Sequence, residues 1–86
     1  MSEYAVPSVS RAIKVLRHIA EGNNCININQ TAKDLDINRT TLLRLLHTLS
    51  DERMIEPVSD AGGYSLGTGL IGLAAKALYS LSLIHI

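Results

Sequence analysis

The chain has no tryptophan and no phenylalanine, and its only aromatic residues are Tyr4, Tyr64 and Tyr79. Aromatic packing therefore cannot carry the interior. Aliphatic side chains must do so, and with 47% of 86 residues apolar there is enough for one small core. A single cysteine, Cys25, excludes an internal disulfide and fits a reducing cytoplasm. It has no His or Cys at metal-ligand spacing, so it reads as a plain buried or half-buried thiol. No basic-plus-apolar signal peptide begins the chain. There is also no glycine-rich phosphate loop. His18, His47 and His85 are scattered and assemble no Ser/His/Asp set, so an enzyme is not expected. The formal net charge is zero, so composition alone does not announce nucleic-acid binding. Distribution says more. Residues 1–50 carry Arg11, Lys14, Arg17, Lys33, Arg39 and Arg44 against Glu3, Glu21, Asp34 and Asp36, a net of +2. Residues 51–66 carry Arg53 against Asp51, Glu52, Glu56 and Asp60, a net of −3. The modest positive field lies on the first half.

What is present is a pattern of two helices joined by a very short turn, between Asn27 and Ser50. Asn27 with Gln30 forms a capping box, in which each side chain can serve the other's backbone N–H. Thr31, Ala32 and Leu35 give the first of these helices a narrow inner face, and Ala32 permits a close crossing. The turn is Asp36-Ile37. Asp36 falls where the chain wants a left-handed conformation, which Asp tolerates, and Ile37 is an apolar plug. Asn38 caps the second helix. Leu42, Leu45, Leu46 and Leu49 recur at helical spacing and face the core. Arg39, Thr40, Leu43, Arg44 and His47 lie opposite. Two helices on a three- to four-residue turn form a helix-turn-helix, whose second helix enters the major groove of DNA. The competing structural reading is an ordinary helical hairpin.

Around this unit, residues 1–6 read as a flexible arm. Ser8 or Ser10 is expected to cap a first helix running to about Glu21, with Val9, Ala12, Ile13, Leu16, Ile19 and Ala20 as its apolar stripe. Gly22 stops it as the residue past the cap. Cys25 to Ile28 reads as a strand stub, able to join a small sheet. Met54, Ile55 and Val58 indicate a strand, with Pro57 marking an edge. Residues 59–63 form a turn cluster, and Tyr64 and Leu66 alternate on the return strand. The expected fold is therefore mainly α with a small β-sheet: a winged helix-turn-helix with a three-helix core, a β-hairpin wing and a C-terminal linker helix. That last helix should start near Gly69, capped by Thr68, with Leu70, Leu73, Ala74, Ala77 and Leu78 in its stripe. Lys76 near its middle would cost about 2.5–3.5 kcal/mol at a bilayer centre, which argues against a membrane span. An apolar stripe there points instead to a partner or a further domain.

The chain resembles the N-terminal DNA-binding domain of IclR-type bacterial transcriptional regulators over about residues 7–79. The residues that carry the likeness are Val9-Ser10-Arg11-Ala12, Ala32, the run from Asn38 to Leu46, and Tyr64-Ser65-Leu66-Gly67. The resemblance implies a domain at residues 7–67 and a linker helix at 68–80. That helix would lead to a separate effector-binding domain, which would hold the small-molecule ligand; no cofactor is expected within residues 1–86. It also implies a homo-oligomer, dimer or tetramer, acting as a repressor or activator in the cytoplasm. Residues 81–86 are read as a non-native tail, because their back-translation resembles a transposon end used to prepare sequencing libraries. Five positions depart from the family pattern. Asp36 and Arg53 stand where the family commonly has Gly, and Asn38 replaces a common Pro. Glu56 and Pro57 occupy a usually basic wing strand, which argues against wing–phosphate contact.

The recognition helix, about 39–51, would read bases mainly from its N-terminal half. Arg39 is the first choice for guanine, because its fork can bond O6 and N7 together. Thr40 and Thr41 suit a base or a phosphate. Arg44 can reach either, Leu43 can pack on a thymine methyl, and His47 should meet backbone. Arg11, Lys14 and Lys33 are further phosphate candidates, weighed against an ordinary solvated surface. The expected partner is double-stranded operator DNA. The alternative is a winged helix that contacts protein through the same Arg-Thr face.

Overall fold

Proline opens the first helix, α1 (Pro7–Ala20), in the computed structural model, which describes residues 4–60 and 62–81. Its fixed φ and missing N–H suit the first turn. Neither Ser8 nor Ser10 caps the helix, contrary to expectation. Val6 does so through its backbone carbonyl, which accepts from Val9 and Ser10 at 3.1 Å each. The helix ends as expected. Gly22 takes φ +100° and donates to Ile19 O at 3.0 Å, while Asn23 N donates to His18 O at 3.2 Å. Together these bonds make a Schellman stop.

The buried stripe of α1 is rotated from the expected one. Val15 and Ile19 are buried, and Ala12 and Leu16 pack partly against the core. Val9, Ile13 and Ala20 are exposed. Val9 and Ile13 line an open apolar groove of about 570 Å³ with Leu45, Leu49 and Met54.

No strand forms at Cys25–Ile28. Cys25 is buried with φ +61°, a left-handed kink that ends extended structure, and Ile28 is already helical. One bond survives from the expected pairing, Tyr64 N–H to Asn24 O at 2.7 Å. Burial raises the Cys25 thiol pKa, with the Thr31 hydrogen bond opposing.

Helix α2 (Ile28–Leu35) is capped by Asn27, whose Oδ1 accepts the Gln30 N–H at 3.0 Å. The reciprocal half of the capping box is absent, because the Gln30 amide donates to Asp34 Oδ1 at 2.8 Å. Asp36 takes the left-handed conformation at φ 53°, and Ile37 is buried behind it. Lys14 closes the far end of α2 by donating from Nζ to Leu35 O at 3.0 Å, a cation on the carbonyl end of a helix. Helix α3 (Arg39–Asp51) follows, with Asn38 Oδ1 accepting from Thr40 N at 2.8 Å and Thr41 N at 3.4 Å. Leu42, Leu46 and Leu49 are buried in the core, and Leu45 is half-buried.

Strands β1 (Ile55–Pro57) and β2 (Tyr64–Leu66) pair antiparallel, with Ile55 opposite Leu66 and Pro57 opposite Tyr64. Ile55 drives the hairpin into the core. Helix α4 (Thr68–Ser80) starts at Gly67. Thr68 is not its cap. Its N–H donates to Glu56 Oε2 at 2.9 Å, so a wing carboxylate closes the helix. Glu56 is thereby explained: it serves α4 from the strand beside it. From Ile71 to Leu81 the described residues are exposed, and no α4 residue is buried. The arm's residues 1–3 and most of the expected tail, 82–86, lie outside the described residues. No described helix is long and apolar enough to cross a membrane.

Arg53 follows α3 with φ 60°. A left-handed conformation costs an L-residue roughly 1–2 kcal/mol, offset partly by the unfolded-chain entropy of glycine. Arg53→Gly is therefore expected to stabilise the domain by about 0.5–1 kcal/mol, or several degrees in Tm. A thermal melt checks this, and an unchanged or lower Tm contradicts it.

Candidate nucleic-acid interface

Helix α3 has two unlike sides because its leucines recur every three to four residues. With Leu42, Leu46 and Leu49 turned inward, Thr40, Arg44 and His47 occupy the opposite side and are exposed. Arg39 and Leu43 sit at the edge nearer α2. Leu43 is 39% exposed, which matches an edge position. Thr41 lies at the other edge and is half-buried in the groove beside α1, with Arg44 and Thr48. Of the six α3 residues expected to reach DNA, five thus share an open surface, and Thr41 is turned toward α1.

Two polar contacts shape this surface. Arg39 Nε donates to Asn29 Oδ1 at 3.0 Å, linking the start of α3 to the first turn of α2. His47 Nε2 lies 3.4 Å from Asp51 Oδ2, one turn on. Both of the latter side chains are well exposed, and an exposed pair of this kind contributes little to stability. Thr48 Oγ1 donates to Arg44 O at 2.8 Å, which uses its hydroxyl within the helix.

Arg11 and Lys33 are exposed, while the Lys14 amine is on Leu35 O. Any phosphate contact by Lys14 would compete with that bond. Sequence reasoning passed over Asn29 and Asp51. Asp51 could have been found at i+4 from His47. Asn29 could not, because its contact with Arg39 depends on how two helices cross.

No group of three or more His, Cys, Asp or Glu among the described residues is arranged to hold a metal ion. The asparagine caps of α2 and α3, the tight turn and the hairpin form a winged helix-turn-helix with its second helix presented outward.

Comparison with known proteins agrees. Residues 8–59 match the family model described as the IclR helix-turn-helix domain. The chain is 27% identical over 81 residues to the transcriptional repressor IclR of Escherichia coli, covering 94% of this chain and 30% of that protein. The acetate operon repressor of Salmonella typhimurium matches at 27% identity, with the same coverage. Among solved structures, an IclR transcriptional regulator from Alicyclobacillus acidocaldarius superposes with a TM-score of 0.76 at 37% identity, covering 86% of this chain and 30% of that one. An IclR family regulator from Brucella abortus also superposes with a TM-score of 0.76, at 25% identity over 94% of this chain. The chain therefore spans about a third of the length of the relatives it matches. Those relatives are regulators, in line with the expectation that this is not an enzyme. The winged architecture, the matched span and the solved neighbours together place the chain in the IclR helix-turn-helix family.

Proposed function

We propose that this chain binds double-stranded DNA in transcription regulation, with α3 in the major groove of an operator half-site. One observation carries the reading. Arg39, Thr40, Leu43, Arg44 and His47 share an exposed surface on the helix whose other side is the core. A rigid helix presenting two guanidinium groups and a hydroxyl offers the donors and acceptors that base edges and phosphates take. The relatives named as repressors support the same reading.

Arg39 and Arg44 carry the strongest contacts, Thr40 and Leu43 supply shorter ones, and His47 meets the backbone. Thr41, half-buried toward α1, contributes least of the six. Arg11 and Lys33 add phosphate contacts at the edges. With a formal net charge of zero, few phosphates are neutralised, so one domain binds weakly with a shallow salt slope. Two copies on a palindromic operator supply the affinity. In the full regulator, a further domain would sense a small molecule in the bacterial cytoplasm.

The test is to enrich duplexes from a random pool and measure affinity at several salt concentrations. Arg39→Ala or Arg44→Ala should each cost about 1–3 kcal/mol on the enriched duplex if bidentate to a base. Random duplex should lose much less. If both variants bind both duplexes as the parent does, the reading fails, and the same face is left to contact an acidic protein partner.

A further inference from the structure

We infer that Asn29 is a positioning residue for Arg39, aiming its guanidinium before DNA arrives. The inference rests on the DNA reading above and adds a residue to it. Arginine has five N–H donors: one on Nε and four on the two terminal nitrogens. In this structure the Nε–H is taken by Asn29 Oδ1 at 3.0 Å. The four terminal donors are the set that addresses guanine O6 and N7 end-on. The side-on mode, which needs Nε, is closed while Asn29 holds it. Asn29 therefore selects one of two docking modes and restrains a long side chain that would otherwise lose its freedom on binding.

The fold makes the contact possible. Asn27 caps α2 and puts Asn29 in its first turn, while Asn38 caps α3 and puts Arg39 at its first residue. The left-handed Asp36 reverses the chain tightly enough to bring these two helix starts together. Asn29 is exposed and lies outside the core, so its side chain is dispensable for folding. Asparagine also offers an acceptor without charge, which avoids placing a carboxylate next to phosphate. Ion pairing would hold Arg39 more strongly but would oppose DNA.

The experiment measures the ratio of affinities for an enriched duplex and a random duplex, using the 86-residue chain. It also records the Arg39 Nε–H resonance by NMR in the free protein. Asn29→Ala is expected to lower the ratio about threefold to tenfold, leaving random-duplex binding and Tm unchanged. In an Arg39→Ala background the same change should do nothing further. Asn29→Asp keeps the acceptor and should restore the ratio while weakening binding to both duplexes. The Nε–H resonance should be protected from exchange in the parent and lose protection in Asn29→Ala.

An unchanged ratio in Asn29→Ala, with a lowered one in Arg39→Ala, overturns the inference. An undiminished loss in the Arg39→Ala background also overturns it, because Asn29 would then touch DNA itself. If Arg39→Ala alone leaves the ratio intact, Arg39 reads no base and the inference falls with that reading. The NMR signal separates the two failures: a protected Nε–H means that Arg39 is held but does not read, and an unprotected one means that it is not held.

Discussion

Leu42→Ala is expected to destabilise the domain by about 2–5 kcal/mol, which lowers Tm by roughly 10 °C or more in a chain this size. Leu42 is fully buried, at 0% exposure, on the core side of α3. Truncation removes its apolar contacts and leaves a cavity between helices that cannot slide together. The α2–α3 turn is fixed by Asp36 and Ile37, and the far side of the core is fixed by the wing through Ile55. A domain of this kind has only about 5–15 kcal/mol in total, so the loss is a large share. Thermal or urea unfolding measures it. A change below about 1 kcal/mol would mean that the helices collapse onto the gap and the core is less tightly set than described.

Gly67→Ala is the second large effect, and its cause is different. Gly67 has φ −94°, which any residue can adopt, so backbone strain is not the obstacle. Space is. A Cβ there would sit 2.3 Å from Arg53 O and 2.9 Å from Arg53 C. These are backbone atoms, held by Gly69 N–H donating to Arg53 O at 2.9 Å and Gly67 N–H donating to Met54 O at 2.8 Å. The methyl group must pry the start of α4 away from the turn that follows α3. Overpacking of this kind costs about 1–3 kcal/mol and occasionally more. The expected result is a lower Tm together with loosened α4, seen as faster amide exchange at Gly67 and Gly69. Unchanged exchange would mean that the crossing can open at little cost. Gly67 closes the Tyr64-Ser65-Leu66-Gly67 run that helped identify the family, and this close approach gives the glycine its physical reason.

The sequence was most informative where local chemistry decides the backbone. Asn27 and Asn38 cap the two helices as their positions indicate, and Asp36 turns left-handed as its place between them requires. The leucine spacing oriented α3 correctly, and that orientation set five of its six candidate DNA contacts on one open surface. The errors arose where tertiary contacts compete with local signals. Ser8 and Ser10 look like caps, yet Pro7 starts α1 earlier because proline suits the first turn. The apolar stripe of α1 misleads because Val9 and Ile13 are apolar but line an open groove, while Val15 reaches the core. The alternation of Ile26 and Ile28 imitates a strand, yet Cys25 kinks and Ile28 begins α2. Thr68 resembles a cap, but it is already inside the helix, and its own N–H donates to Glu56 on the neighbouring strand. In each case the deciding partner is distant in sequence or depends on a packing angle that periodicity does not specify.

In the proposed complex, α3 enters the major groove with Arg39 on a guanine edge. Replacing guanines of an enriched duplex one at a time with 7-deazaguanine tests this most directly, because it removes the N7 acceptor and leaves base pairing intact. At least one replacement is expected to weaken binding by the parent about tenfold, within the range of a lost bidentate contact. The same replacement should have little effect on Arg39→Ala. If no replacement in any enriched duplex weakens binding, or if Arg39→Ala is as sensitive as the parent at every position, Arg39 does not read guanine from the major groove.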